Sequence, residues 1–324
     1  MKVTLQPSGH VIELQPGERI LDAARRLGFD APQSCRNGNC HVCTANLISG
    51  KARMTDNAIV DQGELYTCIA EPLEDCELHW EGVLAPDELP VHSLACQLDS
   101  AEDLGGDVWR LRLRAPAGKR INFHPGQYLL LEREDEQLSA FSIASTPSEE
   151  RVIELHILTR EQQTLAMVEQ IRRERLARLK LPFGDCHLAH LPPGPLVLIA
   201  AGTGLAQMQS LIEHCRHLGF TPPIHLYWGV REEADFYQAP YWAEWEKMPN
   251  LFMHKVVSDD PAWTGRQGLL PAAVIEDLGV DLSPYHVIAS GSPPMVYGTL
   301  DALVAAGMPA ANMHADVFAY APRD

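Results

Sequence analysis

The first thirty residues alternate between apolar and polar positions and then change to a helical spacing. In VTLQPSG and HVIELQPG, apolar side chains occupy every second position on either side of a Ser-Gly turn, which is typical of a β-hairpin. The next segment, ERILDAARRLG, has apolar residues at helical spacing, namely Ile20, Ala23, Ala24 and Leu27. This pattern predicts an amphipathic helix that ends at Gly28.

Short β-type runs dominate the middle of the chain. A proline-containing, acidic segment near residues 81–93 indicates a linker. Five apolar-rich runs follow it: SLACQLDS, VWRLRLRAP, QYLLLERE, SAFSIAST and VIELHILTR. Strands this short, separated by Gly and Pro, predict a small antiparallel barrel. A helix is predicted after the last run, in QQTLAMVEQIRRERLARL, with Thr164 as its N-cap.

From residue 195 the pattern changes to strands that alternate with helices, which predicts a parallel sheet. PLVLIAAGTGLAQMQSLIEHCRHLG contains an apolar strand, a glycine-rich turn and a helix in that order. Gly202 and Gly204 allow the backbone to approach a phosphate closely, and a helix N-terminus favours an anion. The G-T-G sequence is a weak signal alone, but its position between strand and helix predicts a nucleotide-binding turn.

The composition is that of an ordinary globular protein of 324 residues, 46% hydrophobic and 21% charged. The sequence has no apolar run of about 18 residues and no signal-peptide pattern, so we expect no membrane span and a cytoplasmic location. The net charge of −17 argues against a nucleic-acid partner. The first 90 residues carry seven more acidic than basic side chains, which favours solubility and could steer a basic partner.

Three cysteines lie within nine positions, in the order Cys35, Cys40 and Cys43. In a reducing compartment, clustered cysteines are more often metal ligands or redox groups than disulfides. The C-x4-C-x2-C spacing is that of a plant-type 2Fe–2S cluster. A structural zinc site would usually have a second C-x2-C or H-x3-H pair, which the sequence lacks. His41 adjoins Cys40 without the spacing of a Rieske centre, so we expect it beside the cluster and not as a ligand.

The fourth thiolate comes from Cys68 or Cys76, and Cys68 is favoured. The segment around Cys68 resembles the part of a ferredoxin that carries the last ligand, in Gly63, Leu65, Cys68, Ala70 and Pro72. Cys76 begins what is predicted to be the closing strand. Gly38 allows a positive φ that turns backbone N–H groups toward the sulfur atoms, and such hydrogen bonds help set the reduction potential. Hairpin, helix and cysteine loop in this order resemble the start of a β-grasp ferredoxin.

The runs HPGQYLLLE (124–132) and SAFSIASTP (139–147) resemble the flavin-binding barrel of the ferredoxin–NADP reductase superfamily. Within that superfamily, the chain looks most like bacterial flavin reductases and the ferredoxin-fused reductases of ring-hydroxylating oxygenases. The resemblance implies a multi-domain α/β protein with three domains: a plant-type 2Fe–2S ferredoxin domain of the β-grasp fold at 1–85, an antiparallel β-barrel flavin domain at 94–192, and a parallel-sheet α/β NAD(P)H-binding domain at 193–324.

The family's flavin motif is R-x-Y/F-S, in which Ser bonds the isoalloxazine edge and Arg binds the flavin phosphate. Here it is Ser139-Ala140-Phe141-Ser142, and the missing arginine removes a charge-assisted phosphate contact. We therefore expect weaker FAD binding but an intact ring site. The flavin-binding residues that the resemblance implies are Phe141, Ser142, Ile143, His156, Thr164 and Phe318.

The nucleotide-binding residues implied by the resemblance lie in three segments. The glycine-rich turn supplies Gly202, Thr203 and Gly204 to the pyrophosphate, and the segment with Gly229 and Arg231 borders the adenosine. Two glutamates after Arg231 favour NADH over NADPH. SGSPPM resembles the family's C-G-x-P-x-M segment beside the nicotinamide. The residues at the motif's defined positions are Ser290, Gly291, Pro293 and Met295.

The resemblance implies hydride transfer from the nicotinamide to a flavin, followed by single-electron transfer through the 2Fe–2S cluster to an acceptor protein. Ser142 and Ser290 would lie nearest the chemistry. The acceptor would be an oxygenase component or a sugar-nucleotide dehydratase, as for the CDP-6-deoxy-glucoseen reductases, whose ferredoxin-first order the chain shares. The expected cofactors are the cluster, FAD (alternatively FMN or an exchangeable flavin) and NADH (alternatively NADPH). A free-flavin reductase with an appended ferredoxin domain is the alternative, and a non-enzymatic electron carrier is disfavoured.

Overall fold

The first of two compact units spans Met1–Pro90. The computed structural model of the chain describes residues 1–119, 121–149, 151–279 and 281–323. A mixed five-stranded sheet in the order β2-β1-β8-β3-β6 forms most of this unit, beside a small sheet in the order β5-β4-β7. Its elements are β1 (Lys2–Gln6), β2 (Val11–Glu13), α1 (Ile20–Arg26), β3 (Thr44–Ser49), β4 (Ala52–Arg53), β5 (Ile59–Val60), β6 (Gly63–Tyr66), β7 (Glu71–Pro72) and β8 (Cys76–His79).

The predicted hairpin and helix are both present in this unit. β1 and β2 pair antiparallel, and the apolar residues of α1 join the core beneath the sheet. Ile20, Leu21, Ala23 and Ala24 are fully buried, because they lie on one face of the helix. Gly28 follows with a φ of +86°, a conformation that glycine adopts at little cost where a helix ends.

The second unit, Val91–Asp324, begins with a nearly closed antiparallel barrel. Its strands follow the order β12-β11-β14-β9-β10-β13, and a hydrogen bond of 2.8 Å from the Ala144 N–H to the Glu154 carbonyl links the two end strands. The elements are β9 (His92–Asp103), β10 (Val108–Arg114), β11 (Tyr128–Glu132), β12 (Leu138–Ser142), β13 (Val152–Leu158), α2 (Gln162–Glu174) and β14 (Leu176–Phe183).

The helix predicted after the fifth barrel run is shorter than expected. It ends at Glu174, because Arg175 adopts a left-handed conformation with a φ of 58°, and Leu176–Phe183 then forms a strand that pairs with β9 and β11. In LARLKLPF the buried residues alternate with exposed ones, a period of two that the sequence interpretation missed. The N-cap prediction was also wrong: Glu161 is the N-cap and Thr164 lies inside the first turn.

The remainder of the second unit is a parallel six-stranded sheet in the order β18-β17-β16-β15-β19-β20, which confirms the predicted βαβ pattern. Alternate residues of the central strand β15 pack against helices on opposite faces. The elements are β15 (Leu196–Ala201), α3 (Leu205–His217), β16 (Ile224–Val230), α4 (Trp242–Trp245), β17 (Leu251–Val257), β18 (Arg266–Gln267), α5 (Leu270–Leu278), β19 (His286–Ser290), α6 (Pro293–Ala305), β20 (Met313–His314) and α7 (Val317–Tyr320). Among the described residues, no helix has the length and apolar character needed to cross a membrane.

Two partly buried histidines stack across neighbouring strands of this sheet. The ring centroids of His286 on β19 and His314 on β20 are 4.4 Å apart. Burial, together with the neighbouring His314, lowers the pKa of His286 to about 4, and burial also lowers the pKa of His314. The folded protein therefore holds both rings neutral where the unfolded chain, with a histidine pKa of about 6.5, would bind protons.

We predict that this pair makes the protein acid-sensitive. Because the folded pKa lies below the unfolded one, the free energy of unfolding should fall as the pH drops from about 6.5 toward 4. Replacing His286→Phe should reduce this loss, measured by denaturant unfolding at pH 5 and pH 8. The control is the exposed His92. If His92→Phe changes the pH dependence as much as His286→Phe does, the stacked pair is not its source.

Candidate functional site

The cysteine loop of the first unit brings four sulfur atoms together as two pairs. Cys35 and Cys40 are exposed, and the backbone N–H of each points at the sulfur of the other, at 3.4 and 3.3 Å. Cys43 and Cys68 are buried, with their Sγ atoms 3.1 Å apart. Cys76 lies elsewhere, on β8, where its Sγ is 3.4 Å from the Lys51 carbonyl oxygen.

The two-pair arrangement suits a dinuclear centre better than a single metal ion. In a 2Fe–2S cluster each iron takes two thiolates and shares two sulfides, whereas a structural zinc ion needs four ligands around one point. Across the part of the chain that the structure describes, no three His, Cys, Asp or Glu side chains are placed to hold one metal ion. The two pairs of thiols therefore fit the 2Fe–2S cluster that the spacing of Cys35, Cys40 and Cys43 predicts.

Backbone N–H groups of the loop point at the sulfur atoms. Gly38 has a φ of +82°, as predicted, and a Cβ there would lie 2.7 Å from Ile69 Cδ1. Its N–H bonds Cys68, whose pKa burial nevertheless raises to about 11. Hydrogen bonds, first from the Asn37 backbone and then from Cys40, lower the pKa of Cys35 to about 6. Such donors stabilise thiolate charge.

His41 lies on the exposed side of the same loop. It has a φ of 60°, and its ring stacks on Tyr66 with centroids 4.5 Å apart and an interplanar angle of 22°. The Tyr66 hydroxyl in turn donates to Glu64 at 2.8 Å. The structure thus places an aromatic pair, the exposed His41 and the half-buried Tyr66, beside the cysteines.

In the second unit, a cavity of about 500 Å³ lies between the barrel and the parallel sheet; we call it the first cavity. Seven residues predicted for flavin or nucleotide binding line it: Phe141, Ser142, His156, Thr203, Gly204, Ser290 and Gly291. Others were not predicted, including Tyr128, Gln207, Asp316 and Tyr320. This size, and a lining that combines apolar and aromatic groups with several polar ones, suits a planar organic ring that carries hydrogen-bonding groups.

Three residues predicted to bind flavin lie outside this lining. Ile143 is fully buried in the barrel core, and Thr164 is on α2. Phe318 packs against the Tyr297 ring, with centroids 5.5 Å apart. Tyr320, two residues later on the same short helix, is the aromatic residue that lines the cavity.

Asp316 is an ionisable side chain of the first cavity that sequence reasoning missed. Its carboxylate accepts hydrogen bonds from Gln207 Nε2 at 3.1 Å and from the Cys186 N–H at 3.3 Å. Burial raises its pKa to about 6, although these hydrogen bonds act in the opposite direction. The available sequence signal was an acid inside the largely apolar segment ADVFAYAP.

A second cavity, of about 800 Å³, adjoins the carboxyl ends of the parallel strands. Its lining includes these predicted nucleotide-binding residues: Gly202, Thr203, Gly229, Arg231 and Met295. Pro293 begins α6, and its neighbour Pro294 lines the cavity instead. The edge of a parallel sheet where strands end and helices begin is where such folds bind nucleotides.

The glycine-rich turn has one open and one crowded position. Gly202 has a φ of +53° and nothing within 4 Å of a built Cβ, so a ligand can approach its backbone. A Cβ on Gly204 would lie 2.4 Å from the Ser290 carbonyl oxygen, so this position requires glycine for packing. α3 begins directly after the turn, and its N-terminus favours an anion.

Positive charge is sparse around the first cavity. No lysine or arginine occurs among the described residues that line it. Ser139, which stands where the family's flavin motif has arginine, lies on β12. The N-cap of α2 is an acidic residue, Glu161. In the second cavity, Arg231 pairs with Asp259 at 2.9 Å and Arg160 pairs with Asp107 at 3.0 Å.

Comparisons with known proteins match both ends of the chain. Residues 3–73, which include Cys68 but not Cys76, match the 2Fe-2S iron-sulfur cluster binding domain family, and residues 198–301 match the oxidoreductase NAD-binding domain family. The CDP-6-deoxy-L-threo-D-glycero-4-hexulose-3-dehydrase reductase of Yersinia pestis is 31% identical over 98% of each chain. Reductase component 2 of the terephthalate 1,2-dioxygenase of Comamonas is 29% identical over 95% of this chain and 94% of its own.

Solved structures agree over nearly the whole length. A cytochrome P450 reductase of Amycolatopsis has a TM-score of 0.65 and 26% identity, covering 97% of this chain and 98% of its own. The ferredoxin reductase in carbazole 1,9a-dioxygenase has a TM-score of 0.62 and 20% identity over 97% of each chain. The second likeness, at this identity, concerns the fold alone.

We predict that Cys68, and not Cys76, is required for the cluster. Cys68→Ser should lose the bound iron and the visible absorption of the cluster, because one iron would keep a single thiolate. Cys76→Ser is the matched control, since Cys76 is equally buried in this unit but bonds a backbone carbonyl. Iron content and the visible spectrum of both variants decide the question, and loss of iron from Cys76→Ser alone would reverse the ligand choice.

Proposed function

This chain belongs to the ferredoxin-fused NAD(P)H-dependent reductases, and from that premise we propose that it passes electrons from NADH, through flavin and a 2Fe–2S cluster, to an acceptor protein. The proposed domains are a ferredoxin domain at 1–85, a flavin barrel at 94–192 and a nucleotide domain at 193–324. We also propose a cytoplasmic location, where the thiols proposed as cluster ligands stay reduced.

One observation carries the hydride-transfer step. The first and second cavities share part of their lining, in Leu158, Ala201, Thr203 and Ser292. A flavin ring in the first cavity and a nicotinamide in the second would therefore meet across a common wall. Hydride transfer needs such contact between the reacting rings, which makes positioning the main task of the protein.

The proposed roles follow from these placements. Ser142 offers its hydroxyl at the edge of the ring cavity, and Phe141 supplies apolar contact. Ser290 lines the first cavity two residues before Ser292, which both cavities share, so it would lie next to the nicotinamide. Gly202 and Thr203 would approach the pyrophosphate. Bound flavin supplies the conversion of a hydride into single electrons.

The cluster ligands proposed are Cys35, Cys40, Cys43 and Cys68. Backbone N–H groups from the loop tune the charge on the thiolates, which affects the potential at which the cluster accepts an electron. The exposed position of Cys35 and Cys40 leaves one side of the cluster accessible to a partner.

The proposed acceptor is a protein component of an oxygenase or dehydratase system. The similar proteins are named as reductases of a dehydrase and of a dioxygenase, which supports an acceptor of this kind. The excess of seven acidic side chains in the first 90 residues favours an acceptor with a basic docking surface, because complementary charge speeds association.

We predict that NADH reduces both centres and that only the cluster serves a one-electron acceptor. Under anaerobic conditions, NADH should bleach the flavin and cluster absorption of the purified protein, and NADPH should be less effective. Cys40→Ser should keep flavin bleaching but slow reduction of cytochrome c by at least about tenfold, the equivalent of 1.4 kcal/mol in the barrier. Cytochrome c reduction at the original rate by a variant that has lost its iron would refute this order of transfer.

A second function, reduction of free flavin, is favoured by the charges around the first cavity. Ser139 stands at the motif's arginine position, and the acidic Glu161 is the N-cap of α2, the helix that carries Thr164, which the resemblance implies for flavin binding. Both features disfavour a phosphate and leave the ring site unchanged. In this alternative, flavin binds through its ring, is reduced and leaves.

The effect of an introduced arginine separates these roles. Ser139→Arg should tighten binding of FMN and FAD by about tenfold to a hundredfold, because a bidentate, charged hydrogen bond to phosphate is gained. Riboflavin, which has no phosphate, should bind unchanged, and Ser139→Gln controls for side-chain size. Binding is measured by quenching of flavin fluorescence, and equal tightening for riboflavin would contradict the phosphate explanation.

A further inference from the structure

A fully buried carboxylate, that of Glu154 on β13, lies between the barrel and the parallel sheet. One of its oxygens accepts hydrogen bonds from Arg110 at 2.7 Å and Arg112 at 3.2 Å. The other accepts from Gln209 Nε2 at 2.8 Å and contacts His156 Nε2 at 3.1 Å. Both oxygens are thus used within the protein.

These contacts place a proton on one ring nitrogen of His156. Burial alone would raise the pKa of Glu154, but His156 and Arg110 lower it to about 2, so the carboxylate is ionised and can only accept. His156 Nε2 must then carry the proton and donate it. Nδ1 lies 3.0 Å from the Tyr237 hydroxyl and shares a hydrogen bond with it.

The chain of contacts continues from Tyr237 to the glycine-rich turn. Tyr237 is nearly buried and lines the second cavity. Its ring meets the Trp228 ring edge-on, with centroids 5.1 Å apart and an interplanar angle of 73°. Trp228 Nε1 donates to the Gly202 carbonyl at 2.9 Å.

The same carboxylate also holds the helix on the other side of the turn. Gln209 lies on α3, and besides Glu154 its Nε2 contacts the Ala144 carbonyl at 3.2 Å. The next residue, Ser210, donates to the Ser145 carbonyl at 2.7 Å. Glu154 therefore anchors both flanks of the turn, through Tyr237 and Trp228 on one side and through α3 on the other.

We propose that Glu154 and His156 are positioning residues that hold the Gly202–Gly204 turn in its nucleotide-binding place by fixing Tyr237 and Gln209. Although His156 lines the first cavity, both of its ring nitrogens are occupied by protein partners, so it acts on the nucleotide through Tyr237 and forms no hydrogen bond to a flavin. This inference rests on the proposed function, since it takes the second cavity as the NADH site.

Removing the Tyr237 hydroxyl tests the chain. Tyr237→Phe should weaken binding of NAD⁺ to the oxidised holoprotein by about fivefold, the effect of losing one neutral hydrogen bond. Flavin retention and kcat at saturating NADH should stay within about twofold, so the change appears in KM. NAD⁺ binding is measured by calorimetric titration, which needs no turnover.

Tyr227→Phe is the matched control. Tyr227 is a buried tyrosine on β16 whose hydroxyl donates to Asp277 at 3.1 Å, and it is not among the residues lining the second cavity. We expect it to leave NAD⁺ binding unchanged. Unfolding midpoints of both variants show whether a loss of binding merely follows a loss of stability.

Two histidine variants separate the ring nitrogens. In His156→Asn, the side-chain amide can replace Nδ1 as the hydrogen-bond partner of Tyr237, while the link to Glu154 is lost. In His156→Gln, Nε2 can still donate to Glu154, while the link to Tyr237 is lost. If Tyr237 acts through Nδ1, Tyr237→Phe should weaken NAD⁺ binding about fivefold in the His156→Asn background and have no further effect in the His156→Gln background.

Three results would overturn the proposal. NAD⁺ binding unchanged in Tyr237→Phe would show that the turn does not depend on this chain. A full effect of Tyr237→Phe in the His156→Gln background would show that Tyr237 acts without His156. Loss of flavin from the histidine variants with NAD⁺ binding intact would make His156 a flavin contact instead. If the unsubstituted protein binds neither NAD⁺ nor NADH, the proposed function itself fails, and this inference fails with it.

Discussion

A charged group without access to water must be satisfied by its neighbours, and the arrangement of the second unit depends on one such group. The buried Glu154 carboxylate receives donors from the barrel, through Arg110 and His156, and from α3, through Gln209. Breaking such a pair leaves an uncompensated buried charge, which typically costs 3–5 kcal/mol. The carboxylate therefore links the barrel to α3, the helix that follows the glycine-rich turn.

The cysteine loop follows a different constraint, because its geometry is local. Four sulfur atoms must reach positions that two iron atoms can share, so the backbone takes positive φ values at Arg36, Gly38 and His41. Gly38 has no room for a Cβ beside Ile69, and its N–H bonds the Cys68 sulfur. Both units thus use buried or backbone donors to hold a redox site in place, and neither needs a catalytic acid–base pair.

Much of the fold and part of the site could be predicted from the sequence. Periodicity identified the hairpin, α1 and the alternation of the parallel sheet, because each pattern expresses which face of an element is buried. The cysteine spacing predicted the cluster, since three ligands are close in sequence. The end of α2 was missed because Arg175 adopts a left-handed conformation, although the sequence has no glycine or asparagine there to indicate it. β14 was missed because it pairs with β9 and β11, which are distant in sequence.

What the sequence by itself determined is the identity of the redox modules: local spacing decides where the first three thiols lie, where glycine must occur and which runs become strands. The tertiary structure decided which distant groups meet. It placed Cys68 beside Cys43, turned Tyr320 instead of Phe318 toward the first cavity, and put Asp316 there with Gln207 as its donor. It also joined Glu154, His156 and Tyr237 across 81 to 83 positions of sequence. The physical reason is that such contacts depend on how sheets and helices pack, which residue spacing along the chain does not encode.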